Sequence, residues 1–98
     1  MAQDLRMNAK ANHVLDYLHE HGFEHLRVRL HGKLVIIESG PEDNPIPHAR
    51  LRKDTVNYWK LEMPGHAGRW EPTGIRAFLD DVLETLTTDF PWTLTPIA

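Results

Sequence analysis

The stretch Tyr58–Gly74, YWKLEMPGHAGRWEPTG, decides how the rest of the chain is read. In it Trp59, Leu61 and Met63 alternate with Tyr58, Lys60 and Glu62. A period of two marks a half-buried strand, and aromatic side chains suit a pleated surface. The pattern predicts a strand with Trp59, Leu61 and Met63 turned to a core and Lys60 and Glu62 turned outward. Pro64-Gly65 ends it, because proline has no N–H to donate to a ladder. His66, between two glycines, reads either as a mobile acid–base group or as the polar tip of a solvated turn. The turn is the expectation, since one loop residue does not make a chemistry. Trp70, beside Arg69, either offers a stacking surface or covers the end of the core near a helix start; the second is the expectation.

Downstream, Thr73 is placed to cap a helix after Pro72. Ile75, Phe78, Leu79, Val82, Leu83, Leu86 and Phe90 keep helical spacing, with Asp80, Asp81 and Glu84 on the opposite face. Pro91 biases Phe90 out of the helical region and ends the run. In the tail PWTLTPIA, Trp92 and Leu94 alternate with Thr93 and Thr95, as in an extended segment. So apolar a tail is expected either to pack on its own domain or to pair as a strand with a second copy, making a homodimer.

Upstream, Met7, Ala11, Val14, Leu15 and Leu18 form one apolar stripe, which predicts a helix from about Gln3 or Met7 to His21. Gly22 is its expected stop, with Leu18 and Phe23 as the apolar contact of a Schellman cap. A hairpin follows. With His31-Gly32 as its turn, Val28 opposes Val35, Leu26 opposes Ile37, Arg29 opposes Leu34 and Arg27 opposes Ile36. One face of this hairpin is core. The other mixes Arg27 and Arg29 with Leu34 and Ile36, and is either covered by arginine stems or a binding face. Ser39–His48, SGPEDNPIPH, reads as a loop rich in proline. The cluster His48, Arg50, Arg52 and Lys53 follows, at the start of a bent strand that continues to Met63. It is the best anion-binding candidate, although a basic run is ordinarily a solvated face.

The bulk numbers bound the answer. At 98 residues the chain is one small α+β domain, 1–98. It contains no cysteine, which excludes disulfides, cysteine-based zinc sites and thiol nucleophiles, and fits a cytoplasmic location. A net charge of −3 argues against general nucleic-acid binding but leaves room for a local basic patch. No signal peptide or membrane span is read in the sequence, so no membrane partner is expected.

Seven histidines invite a metal reading, yet none has the HExxH spacing. His19 and His21 fall on different faces of a helix, so they cannot grip one ion there. The single serine, Ser39, lies outside any nucleophile-elbow motif. Gly65 and Gly68 are not followed by the Gly-Lys-Ser/Thr of a phosphate loop. No catalytic residue, metal site or cofactor is therefore expected.

The expected architecture is α-β-β-β-α, with an antiparallel sheet of three or four strands and both helices on one face. That order is shared with double-stranded RNA-binding domains and with small toxins of the HicA kind, and LHEHGFEHLRVRLHG has the helix–Gly–Phe–strand look of the latter. The Gly-Ser-His of those toxins is missing, and the last helix is acidic where an A-form groove needs a basic one. Element order alone does not carry function. The leading expectation is a non-enzymatic protein-binding module, an inhibitor or regulator, using Arg27, Arg29, Leu34, Ile36 and Trp92. The alternative is a nucleic-acid binder using His48, Arg50, Arg52, Lys53 and Arg69, with Trp70 stacking on a base.

Overall fold

The computed structural model describes residues 5–96. Helix α1 (Leu5–Glu20) leads into five strands, β1 (Arg27–His31), β2 (Leu34–Ser39), β3 (Ile46–Lys53), β4 (Trp59–Pro64) and β5 (Trp70–Ala77). Helix α2 (Leu79–Asp89) and a short 3-10 turn, Pro91–Leu94, close the chain. The strands form one antiparallel meander in the order β1-β2-β3-β4-β5. The α+β class and the two helices are as expected; the strand count is five, which also removes the shared α-β-β-β-α order.

Period-two alternation turns Val35 and Ile37, Ala49 and Leu51, and Trp59 and Leu61 to the same side. These six meet the apolar stripes of α1 (Met7, Ala11, Val14, Leu18) and α2 (Leu79, Val82, Leu83, Leu86) in a single core. Helix α1 packs over β1, α2 over β4 and β5, and the closing turn against β3 and α2. Trp59 is 1% exposed at the centre of this core. The cap of α1 is the expected one. Gly22 sits at φ +92, Phe23 N–H donates to Leu18 O at 3.0 Å and Gly22 N–H to His19 O at 3.2 Å.

The hairpin register differs from the expected one by two residues. Val28 faces Ile37, Arg29 faces Ile36 and His31 faces Leu34, with Gly32-Lys33 at the turn and Gly32 at φ +59. Glycine at the first central position is the placement a type II′ turn uses. Because the slip is even, every side chain keeps its face.

Two expected boundaries fail. The bent strand from Leu51 to Met63 is two strands joined by a turn in which Asp54 and Thr55 N–H donate to Tyr58 O. The presumed loop through His48 ends at Asn44-Pro45, since Ile46 and Pro47 already belong to β3. Pro47 is tolerated because the β2–β3 ladder shifts there: Ile37 faces Ala49 while Glu38 faces Pro47, with His48 as the extra residue of a bulge.

The last helix begins later than its spacing implies. Thr73 does not cap it. Its hydroxyl donates to Leu61 O at 2.8 Å and accepts from Ile75 N–H at 3.1 Å, holding a bulge in β5 in which Gly74 takes φ +85. Ile75 packs against the core as a strand residue. Helix α2 opens at Phe78, whose carbonyl accepts from Val82 N–H at 2.9 Å.

Nor is the tail extended over Pro91–Leu94; Ile97 and Ala98 lie outside the described residues. It coils into the 3-10 turn, which buries Leu94. Two histidines tie it down: His48 Nδ1 donates to Thr93 O at 2.8 Å and His25 Nε2 to Leu94 O at 2.6 Å. No helix among the described residues is long and apolar enough to cross a membrane.

Candidate functional site

Both helices lie on one face of the sheet, and among the described residues no helix covers the other. The register sets its contents. One row across the strands reads Arg29, Ile36, Arg50, Glu62, and the next reads His31, Leu34, Arg52, Lys60, Arg76. Arg27 and Glu38 face each other beyond the first row. The two groups of residues singled out in the sequence thus largely merge into one surface.

Charges on this surface follow a repeating arrangement, one carboxylate between two cations. Glu38 lies 3.3 Å from Arg29 Nε and 3.9 Å from Arg27 Nε. Glu62 lies 2.7 Å from Arg50 Nε and 3.3 Å from Arg52 Nε. Asp54, just after β3, lies 3.8 Å from Lys60 Nζ and hydrogen-bonds Arg76 Nε. Glu38 and Glu62 are only 7% and 12% exposed at the side chain. A carboxylate taken from water needs ionic partners. Here each has two, so each cluster keeps one surplus positive charge.

Within the three clusters six cations stand against three carboxylates, a surplus of +3 in a chain whose total is −3. Glu42 borders the Arg27, Arg29 and Glu38 cluster, while Asp80, Asp81 and Glu84 lie on the exposed surface of α2.

Arginine stems and stacked rings hold the guanidinium groups in place. Arg50 lies over Trp70 at 4.6 Å from the ring centroid. Arg76 lies over Tyr58 at 4.2 Å, and Tyr58 stacks on Phe78 at 5.1 Å. A guanidinium stacked through its flat face keeps its edge available for a planar anion. Arg27 is further fixed by donating from Nη1 to Gly40 O at 2.6 Å. Ile36, at 6% exposed, is buried under this ionic layer rather than offered to solvent. The Arg76 hydrogen bond holds the Asp54 carboxyl below its usual range, and the charges of Lys60 and Arg76 act in the same direction against partial desolvation.

Several expected site residues lie elsewhere. His48 cannot meet an anion. It is 2% exposed, and with Nδ1 donating to Thr93 O, its Nε2 accepts from the Ser39 hydroxyl at 2.6 Å. Lys53 pairs with Trp59 in register and so points to the helix side. Arg69 is exposed in the loop before β5. Trp92 is 65% exposed on the closing turn, outside the sheet face. Trp70 does not cover the core at a helix start; it faces Pro64 across β4–β5 on the open face.

Sequence reasoning placed Lys60 and Glu62 outward but did not connect them to the arginines, and it read Arg76 as helical. The usable signal is the recurrence of Arg-x-Arg, at Arg27/Arg29 and Arg50/Arg52, on neighbouring alternating segments.

Among the described residues, no group of three His, Asp or Glu side chains is arranged to hold a metal ion. His13 instead bridges the helices, its Nε2 at 2.5 Å from Asp80 Oδ1. His21 stacks on Tyr17 at 4.0 Å. Compared with protein-family models, with curated proteins and with solved structures, the chain matches none.

Proposed function

We propose that the protein is a non-enzymatic, cytoplasmic binding module, an inhibitor or regulator whose open sheet face docks on an acidic segment of a protein partner. The observation that carries this reading is the surplus of positive charge on that face in a chain that is acidic as a whole. Complementary potential steers encounter and fixes orientation, and the acidic helix side repels the same partner from the wrong direction. A protein partner suits the face better than a base-stacking strand does. Single-strand platforms use several aromatic faces, whereas Trp70 already has Arg50 stacked on it.

The test is fluorescence anisotropy of a labelled poly-glutamate peptide with the wild type and with the triple variant Arg29→Glu, Arg52→Glu, Arg76→Glu. Binding that weakens with salt, and that falls at least about tenfold in the variant, supports the reading. No binding at low salt, or binding indifferent to the three changes, overturns it. A single-stranded oligonucleotide that displaces the peptide at lower concentration would put the second reading first: a nucleic-acid surface in which Arg50, Arg52 and Trp70 track a strand.

A further inference from the structure

Resting on that reading, we infer that the open face contains a built subsite for a phosphomonoester, at the β4–β5 bulge, and that the partner segment it takes carries a phosphorylated side chain. Three observations converge there. Arg52, Lys60 and Arg76 stand side by side on three adjacent strands, each directly opposite the next. Like charges directly opposite on neighbouring strands are destabilising; Glu62 and Asp54 offset part of that repulsion, and an anion held between the cations would offset the rest.

The ladder also opens beside the row. Between the Lys60–Arg76 and Glu62–Pro72 pairs, β4 has one residue and β5 has three. The result is a concavity of about 220 Å³ bordered by Lys60, Glu62, Pro72 and Arg76, with Gly74 in its wall. Nothing lies within 4 Å of where a Gly74 side chain would begin. An oxyanion can therefore approach the strand between the two cations.

Finally, the charges match. Lys60 and Arg76 line the concavity and Arg50 and Arg52 lie beside it; the four surround two carboxylates, Glu62 and Asp54, leaving two surplus positive charges. A phosphomonoester has a charge of about −1.5 to −2 at neutral pH, against −1 for a glutamate. Arg76 is held by its Tyr58 stack and by Asp54 at Nε, and its two Nη groups make no hydrogen bond among the described residues. It thus presents a preset fork.

The experiment is a ¹⁵N NMR titration of the intact protein with inorganic phosphate and with acetate at matched ionic strength. A glutamate-rich peptide carrying one phosphoserine is then compared with its unphosphorylated form. The expected result is saturable shifts centred on the amides of Lys60, Gly74 and Arg76 with phosphate, and much weaker ones with acetate. The phosphorylated peptide should bind about tenfold more tightly. Arg76→Gln and Lys60→Gln should each remove that gain while the amide spectrum stays otherwise unchanged. Phosphate shifts spread evenly over exposed amides, or equal affinity of the two peptides, would overturn the subsite. If poly-glutamate still binds, the docking face survives that failure. If phosphate shifts the bulge but neither peptide binds, the ligand is free phosphate, and the partner segment is overturned.

Discussion

Ile36 and Ile37 are consecutive residues of β2, both nearly inaccessible, and they are buried by different physics. Ile37, fully buried, lies in a layered core between sheet and helices. Ile36, 6% exposed, lies on the open face, directly opposite Arg29 and Arg50, which pair with Glu38 and Glu62. On the inner face burial is a gain of apolar contact that is largely indifferent to salt. On the outer face it depends on an ionic lattice of charged side chains, whose solvent-exposed pairs each contribute only a few tenths to about 1 kcal/mol. Low accessibility alone does not distinguish core from interface; the composition of the cover does.

The largest test of this difference is on the inner face. Trp59→Ala removes the biggest buried side chain of the core and is expected to cost about 4 kcal/mol in urea denaturation. The neighbouring isoleucines then give an internal comparison. Ile37→Ala should cost about 3–4 kcal/mol, because packed helices cannot close the hole. Ile36→Ala should cost about 2 kcal/mol, since arginine stems can settle into the space. Equal costs would mean that the outer layer is as rigidly packed as the core.

A smaller effect sharpens the distinction by moving two readouts in opposite directions. Glu62→Gln deprives Arg50, 14% exposed, and the more exposed Arg52 of their shared charge. The expected loss of stability is about 1–2 kcal/mol, because the amide oxygen still accepts a hydrogen bond. Affinity for poly-glutamate should rise, since one repelling carboxylate is gone. If stability and affinity fall together, Glu62 organises the binding surface rather than opposing its ligand.

How much of this is legible in the sequence depends on which signal had a competitor. The strand through Trp59, Leu61 and Met63, the stripe of α1 and its Schellman stop are readable because local pattern and tertiary packing agree there. The start of α2 is not. Ile75 and Phe78 fit a helical spacing as well as they fit a strand interrupted by a bulge, and Thr73 is as good a bulge residue as it is a cap. The mixed face of the hairpin is visible from alternation even with the register misplaced by two, since an even slip preserves faces. What the sequence could not yield is that Arg27/Arg29 and Arg50/Arg52 share that face with Lys60 and Arg76. That needs the order of the strands, which is a non-local fact. His48 failed as a candidate for a related reason: the bulge at Glu38/Pro47 takes it off the arginine face and into contact with Ser39 and Thr93.

The smallest expected effect isolates the outer face by pH. Asp54 is held below its ordinary pKa of 3.8, first by its hydrogen bond from Arg76 and then by the charges of Lys60 and Arg76, against partial desolvation. A carboxylate whose pKa is lower in the folded than in the unfolded state favours folding while it is ionised in both. That contribution is complete above the ordinary value. It declines as pH falls through 3.8 and is gone once pH is below the lowered folded value. The urea midpoint of the wild type should therefore drop more steeply over this acid window than that of Asp54→Asn, and the two profiles should run parallel at neutral pH. Because Asp54 is near water, added salt should shrink the difference between them, while leaving the cost of Trp59→Ala in place. Profiles that stay parallel down through the acid window would mean that the Asp54 cluster forms without contributing to folding. The surplus cations of β4 and β5 would then be held in place by strand register and by stacking on Tyr58 alone.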